Sequence, residues 1–170
     1  VVRGYNDGFA FCYKIPDGKG PCVNVQSELT AYNFAGDYTA WFYNGENHNI
    51  GPEKLTETDG TRLPVMTVKA GDKHYMAIHE ACLETGAPLV LQSKGGESLF
   101  SVASKPTSLS PGYTSAWRVV LYGTTPGVLT DSHLLELLNP DPDSRYDFSW
   151  VKPGLAVWDW RINGAVWDGF

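Results

Sequence analysis

The run Lys73-His74-Tyr75-Met76-Ala77-Ile78-His79-Glu80-Ala81-Cys82 carries the period of two that a strand imposes. Met76, Ile78, Glu80 and Cys82 fall on one face, and Tyr75, Ala77 and His79 on the other. Glu80 therefore ends an otherwise apolar row. A carboxylate that leaves water needs a cation, hydrogen bonds or protonation, because an isolated buried charge costs several kcal/mol. A structural Arg or Lys partner and a metal or substrate role are both open for Glu80 at this point. His79, on the opposite face, reads as a packed or solvated histidine that shares no ligand with Glu80.

Further along, Tyr113-Thr114-Ser115-Ala116-Trp117-Arg118-Val119-Val120-Leu121-Tyr122 alternates Trp117, Val119 and Leu121 against Arg118, Val120 and Tyr122. Both faces are substantially apolar, as expected of a central strand covered on both sides. Arg118 within it is a candidate partner for a carboxylate such as Glu80, or faces the next domain and contacts substrate. Around these two runs, 18 glycines and 11 prolines punctuate short segments rich in Val, Tyr, Phe, Trp and Thr. Their spacing of roughly ten residues is that of an antiparallel sandwich, so the fold class expected is all-β. Strands are expected near Phe9 to Ile15, Val23 to Phe34, Tyr38 to Tyr43, Leu63 to Lys69, Lys73 to Cys82, Pro88 to Gln92, Leu99 to Ser104 and Tyr113 to Tyr122. Asn44 to Glu57 mixes Gly, Asn, His and Pro without periodicity and reads as a surface loop.

After the last strand, Thr130 or Asp131 can cap a helix whose Leu134, Leu135, Leu137 and Leu138 form an apolar face before Asn139-Pro140 ends it. A polar linker then leads into Ser149-Trp150-Val151-Lys152-Pro153-Gly154-Leu155-Ala156-Val157-Trp158-Asp159-Trp160. In that segment Leu155, Val157 and Asp159 alternate with Ala156, Trp158 and Trp160, as in the first strand of a parallel barrel. Barrel active sites lie at the C-terminal strand ends, which would put Asp159 and Trp160 at the floor of one. Tryptophan faces such as Trp158 and Trp160 suit sugar rings, whose C–H groups pack on the indole; ordinary aromatic core is the plain alternative. The expected organisation is 1–128 as the sandwich, 129–149 as linker helix and loop, and 150–170 as the start of a barrel.

Composition narrows the function. The formal charge of −6 and pI near 5.1 argue against nucleic acid or an anionic membrane as partner, since both reward clustered Lys and Arg. No apolar run of about 18 residues is present for a membrane span. Val1 opens directly into strand-like sequence, so any export signal is expected to have been removed already. Cys12, Cys22 and Cys82 have no metal-finger spacing. Cys12 and Cys22 flank the turn-rich Pro16-Asp17-Gly18-Lys19-Gly20-Pro21, where a hairpin could bring them within bridging reach; two separate buried thiols are the commoner state of small apolar cysteines. No nucleophile elbow, zinc-protease helix or phosphate-cradling Gly loop is found, and no carboxylate pair can be given acid and base roles.

Four segments in this order resemble the N-terminal part of family 97 glycoside hydrolases: Arg3-Gly4-Tyr5-Asn6-Asp7-Gly8-Phe9-Ala10-Phe11, Ile78-His79-Glu80-Ala81, Thr114-Ser115-Ala116-Trp117-Arg118-Val119-Val120, and Ser149-Trp150-Val151-Lys152-Pro153-Gly154 with Val157-Trp158-Asp159-Trp160. Leu138-Asn139-Pro140 also fits. The resemblance implies a large mutarotase-like β-sandwich, a linker helix and the truncated start of a (β/α)8 barrel, in an exported, periplasmic or secreted enzyme. It implies action on α-glucosides or α-galactosides with calcium at the active site, and it puts one calcium-ligating glutamate on Glu80. That weights Glu80 toward a hard cation bound by oxygen ligands. The family's general acid, and its base or nucleophile, are expected beyond Phe170, so the chain is expected to be inactive alone. Where the family continues Trp-Asp-Trp with another Trp, this chain has Arg161. Two rival readings are a free-standing carbohydrate-binding sandwich using exposed aromatics such as Trp41 and Tyr43, and a structural domain that packs on the barrel without touching sugar.

Overall fold

The computed structural model describes residues 1–84 and 87–155. They fall in two units, Val1–Pro140 and the residues from Asp141 on. In chain order the first unit contains β1 (Val2–Tyr5), β2 (Gly8–Phe11), β3 (Val23–Val25), β4 (Ala31–Asn33), β5 (Thr39–Tyr43), β6 (Ile50–Lys54), β7 (Asp59–Lys69), β8 (Tyr75–Ala81), β9 (Leu91–Lys94), β10 (Leu99–Val102), β11 (Thr107–Leu109), β12 (Trp117–Gly123), α1 (Pro126–Asp131) and α2 (Leu134–Leu138). All strand pairings described are antiparallel. A 10-stranded network runs β1-β2-β12-β8-β7-β9-β10-β4, with β5 on β7 and β6 on β5; β3 and β11 form a separate two-stranded ladder.

The network closes into a sandwich because β7 serves both layers. Its Met66–Lys69 end pairs with β8 and β5, whereas its Asp59–Arg62 end pairs with β9. Between the layers lies one core built from Ala40, Phe42, Met66, Val68 and Ile78 of one layer and Leu91, Phe100 and Val102 of the other. Phe42 and Phe100 meet across it with ring centroids 5.7 Å apart. The outer face of the first layer carries a second core of Ala10, Cys12, Ala77, Ala81, Trp117, Val119 and Leu121, covered by Leu134 and Leu138 of α2. β8 and β12 are thus buried on both faces, as their apolar patterns require.

Several expectations change in detail. The Val23 to Phe34 strand is two strands in different ladders, because Gln26–Thr30 breaks away and the Glu28 side chain turns inward; the Glu28 N–H is held instead by Ser104 Oγ at 2.7 Å. The loop expected over Asn44 to Glu57 contains β6 and a short 3-10 turn, Leu55–Glu57, anchored by the fully buried Leu55. β1 and β11 are further strands. The expected helix is present but bent. Pro126 starts it earlier, in the first-turn position that suits proline. Thr130 and Asp131 therefore lie inside α1, and Ser132, which ends α1, accepts the Leu134 N–H on its Oγ at 3.2 Å at the bend before α2. The i, i+4 pair Leu134 and Leu138 is buried, while Leu137, a quarter-turn away, is 61% exposed.

The three cysteines are free thiols. Cys12 is buried in the outer core, but Cys22 is exposed with its Sγ 3.7 Å from Ser110 Oγ, so the expected second buried thiol and the bridge are both absent. The reason lies in the backbone: Ile15 N–H bonds Tyr113 O at 2.9 Å, and Gly112 N–H bonds Ile15 O at 3.2 Å. These contacts tie the Cys12–Cys22 segment to the loop before β12 and not to itself.

Gly8 marks the tightest backbone contact in the first layer. A Cβ there would sit 2.2 Å from Val120 O of β12, whereas a Cβ on Gly4 of the neighbouring strand meets nothing within 4 Å. Gly8→Ala should therefore lower unfolding free energy by about 1–3 kcal/mol or more through forced backbone movement. Gly4→Ala should stay within about 0.5 kcal/mol of the parent. Urea melts of the two variants check the contrast, and equal effects would mean that the β2–β12 approach is looser than described.

Candidate functional site

Register brings the charged residues together. β8 and β12 pair so that Glu80 stands directly opposite Arg118, and both side chains enter the space between the layers with Met76 and Ile78. The face expected for β8 holds for Met76, Ile78 and Glu80 but not for Cys82. Cys82 adopts φ 55°, leaves the strand and packs with the outer core. That left-handed turn is held by Asn139, whose Oδ1 accepts the Cys82 N–H at 3.0 Å and whose Nδ2 donates to Leu135 O at 2.7 Å. Asn139 thus clamps the end of α2 to the end of β8.

Arg118 does not divide itself equally between acids. Its Nε and Nη2 donate to the two oxygens of Glu28 at 3.0 and 2.6 Å, a bidentate fork. Its Nη1 stands 3.6 Å from Glu80 Oε2, and among the described residues has no hydrogen-bond partner. Glu80 Oε2 instead accepts the Leu89 N–H at 2.6 Å. Glu28 also takes a 2.7 Å bond from the Thr30 hydroxyl. The Arg118 and Glu80 side chains are 4% and 8% exposed, so the group lies largely out of water. One cation and two carboxylates leave this group one negative charge in excess.

Nearby groups follow from the same burial. Desolvation pushes the Glu28 carboxyl up, yet the Arg118 and Thr30 hydrogen bonds and the Arg118 charge more than offset it, holding the group below the ordinary carboxylate value. Desolvation pulls Arg118 down, and the bonds and charge of Glu28 hold it above its ordinary value. The Tyr32 phenol is pushed well up, chiefly by burial, and its hydroxyl has no hydrogen-bond partner among the described residues. On the opposite face of β8, the His79 Nδ1 accepts the Glu80 N–H at 2.7 Å, consistent with a packed histidine.

Glu28 and Tyr32 were not visible as site residues in the sequence. Glu28 sits in a stretch that looks like uninterrupted strand, and only the inward turn of Gln26–Thr30 delivers it to Arg118. Of the expected sugar contacts, Trp158, Asp159 and Trp160 lie outside the described residues. Trp41 is half-buried and Tyr43 exposed, on the face of β5 turned away from the inner core. Among the described residues no group of three His, Cys, Asp or Glu side chains could hold a metal ion. Glu80 is a hard oxygen donor in a cluster of excess negative charge, which fits one ligand of a calcium site and not a complete one.

The fold is an antiparallel β-sandwich with a helix over its outer face and a buried carboxylate near one strand end. The profile described as Glycosyl-hydrolase 97 N-terminal matches residues 1–140, and the chain belongs to that family. It is 27% identical to a retaining alpha-galactosidase of Bacteroides thetaiotaomicron, covering 93% of this chain and 30% of that protein. It is 29% identical to a probable retaining alpha-galactosidase of Streptomyces bingchenggensis, covering 96% of this chain and 26% of that one. A glycoside hydrolase family 97 enzyme from Pseudoalteromonas sp. strain K8, solved with panose, superposes with a TM-score of 0.74 at 25% identity, over 88% of this chain and 24% of its own. The chain thus spans less than a third of the length of these relatives.

The depressed Glu28 pKa has a definite sign. The stability it contributes is fully present above the unfolded value near 4.5 and is lost as pH falls through the lower folded value. Glu28→Gln should therefore flatten the acid limb of the melting-temperature profile below about pH 4.5. Calorimetry of parent and variant across that range tests it, and an unchanged slope would show that Glu28 gains nothing from Arg118.

Proposed function

We propose that this chain is the sandwich portion of an exported, calcium-dependent α-glycosidase that cleaves α-linked galactosides or glucosides. The observation that carries the reading is Glu80, a buried carboxylate in a cluster with one uncompensated negative charge, on a domain that belongs to the glycoside hydrolase 97 N-terminal family. An α-galactoside is the first substrate to test, because both curated relatives are named for that activity. In this reading the chain contributes a rigid scaffold and one calcium ligand. The remaining ligands, the general acid, and the base or nucleophile come from a catalytic barrel of the same protein. A calcium ion at such a site supplies Lewis-acid polarisation of a substrate oxygen. Glu80 supplies the charge, Leu89 N–H fixes one of its oxygens, and Asn139 holds the strand end that carries it.

Two results test this. The 170-residue chain alone should release no aryl group from aryl α-galactosides or α-glucosides above background, while the full-length enzyme does so and loses the activity to a chelator. Turnover by the fragment, abolished by a substitution within it, would overturn the assignment of catalysis to the barrel.

Glu80→Gln in the full-length enzyme should weaken calcium binding and activity together while leaving folding nearly intact. The amide keeps the Leu89 hydrogen bond, and a balanced Glu28–Arg118 pair remains. A loss of about 3 kcal/mol or more in stability with an unaltered calcium response would identify Glu80 as half of a structural ion pair instead.

A further inference from the structure

We infer that Asn44 is a site of self-modification: its side chain cyclises onto the Gly45 nitrogen, so the β5–β6 turn deamidates spontaneously and β6 loosens as the protein ages. This is independent of the reading of Glu80. Among the described residues Asn44 is the one asparagine followed by glycine. Its turn is closed by the Asn47 N–H on Asn44 O at 3.1 Å, a bond in which the Gly45 N–H takes no part. Gly45 holds φ 59°, a left-handed value that disfavours most side chains, while a Cβ there would meet nothing within 4 Å. Backbone conformation, and not packing, thus keeps a glycine beside Asn44. The Asn44 carboxamide is held by an exposed 3.2 Å bond from Nδ2 to His48 O, and residues 46–49 are exposed, so water reaches the turn.

In the first step the Gly45 nitrogen bonds to Asn44 Cγ, the Cγ–Nδ2 bond breaks, and the Gly45 amide proton leaves with Nδ2 as ammonia. The product is a cyclic imide. Water then adds across one of its two carbonyl–nitrogen bonds, and nothing is oxidised or reduced. Opening at Cγ leaves an aspartate at position 44; opening at the main-chain carbonyl leaves an isoaspartate, whose backbone runs through the former side chain and is one carbon longer. Other asparagines lack this freedom. The Phe34 nitrogen after Asn33 is engaged with Ser98 O at 2.9 Å, and Asn139 is followed by proline, which has no N–H to lose. The consequence falls on β6. Phe42 pairs with Ile50 at the base of this turn, and β6 has β5 as its one neighbour among the described strands. A main chain lengthened by a carbon at Asn44 displaces the bond to Asn47 and unpairs that base.

The experiment ages the full-length enzyme in warm, mildly alkaline buffer and follows each asparagine by peptide mapping and mass spectrometry. Asn44 should gain the mass of an amide-to-acid exchange at least about tenfold faster than Asn33, a barrier difference of about 1.4 kcal/mol. The rate should fall in mildly acidic buffer, because the attacking nitrogen must lose its proton. The same enzyme unfolded in urea supplies the unrestrained rate. Conversion of Asn44 in urea with none in the native protein would show that the turn shields it, and would overturn the inference. Hydrogen exchange reads the consequence: in the aged protein the amides of Ile50–Lys54 should exchange faster while those of β8 do not change. Asn44→Gln, whose longer side chain closes its ring far more slowly, keeps the amide and should age without either change. Loosening of β6 in the aged variant equal to that in the parent, or none in the deamidated parent, would overturn it as well.

Discussion

The sandwich depends on β7 belonging to two layers. Eleven residues from Asp59 to Lys69 are long enough to pair with β9 at one end and with β8 and β5 at the other, so the sheet folds over itself without a break in its hydrogen bonds. Folding over in this way lets Phe42 and Phe100, on strands that never pair, share one core. It also creates the enclosed space into which Glu28, Glu80 and Arg118 point. A flat sheet of the same strands would leave those charges in water, where the pairing is worth little.

The price of enclosure is visible in how the charges are arranged. A buried ion group is stabilising only when its hydrogen bonds are nearly complete, and removal of one member is costly. Here Glu28 is engaged by Arg118 and Thr30, and Glu80 is held by the Leu89 N–H and by an ion pair with Arg118 Nη1 at 3.6 Å. One cation thus serves two buried carboxylates, by a fork to Glu28 and an ion pair to Glu80.

Much of this was legible in the sequence, for a physical reason. The β8 and β12 runs have apolar patterns on both faces, and a charged residue inside such a pattern can only be paired or functional, so Glu80 and Arg118 announced themselves. Glu28 did not, since it sits inside what reads as one strand from Val23 to Phe34, and its inward turn depends on Ser104 and Thr30, one of them far along the chain. β6 was hidden by glycine and proline within Ile50–Lys54, residues that normally punctuate strands but are tolerated at an edge. The bend between α1 and α2 was hidden because Ser132 looks like helix interior until Asp7, distant in sequence, accepts its hydroxyl at 2.5 Å.

The clamp formed by Asn139 has a consequence for how the domain can be divided from its surroundings. Leu134 and Leu138 roof the outer core, and Asn139 ties that roof to the turn at Cys82. A cut made after β12, the last strand among the described residues, would unroof Trp117, Val119 and Leu121 and release the turn that follows Glu80. Burying two leucines contributes on the order of 3–6 kcal/mol, a large part of what a domain of this size has to spare. The helix is therefore the keystone of the sandwich and not a tether leading away from it, and a separable piece has to run through Pro140, where the first compact unit ends.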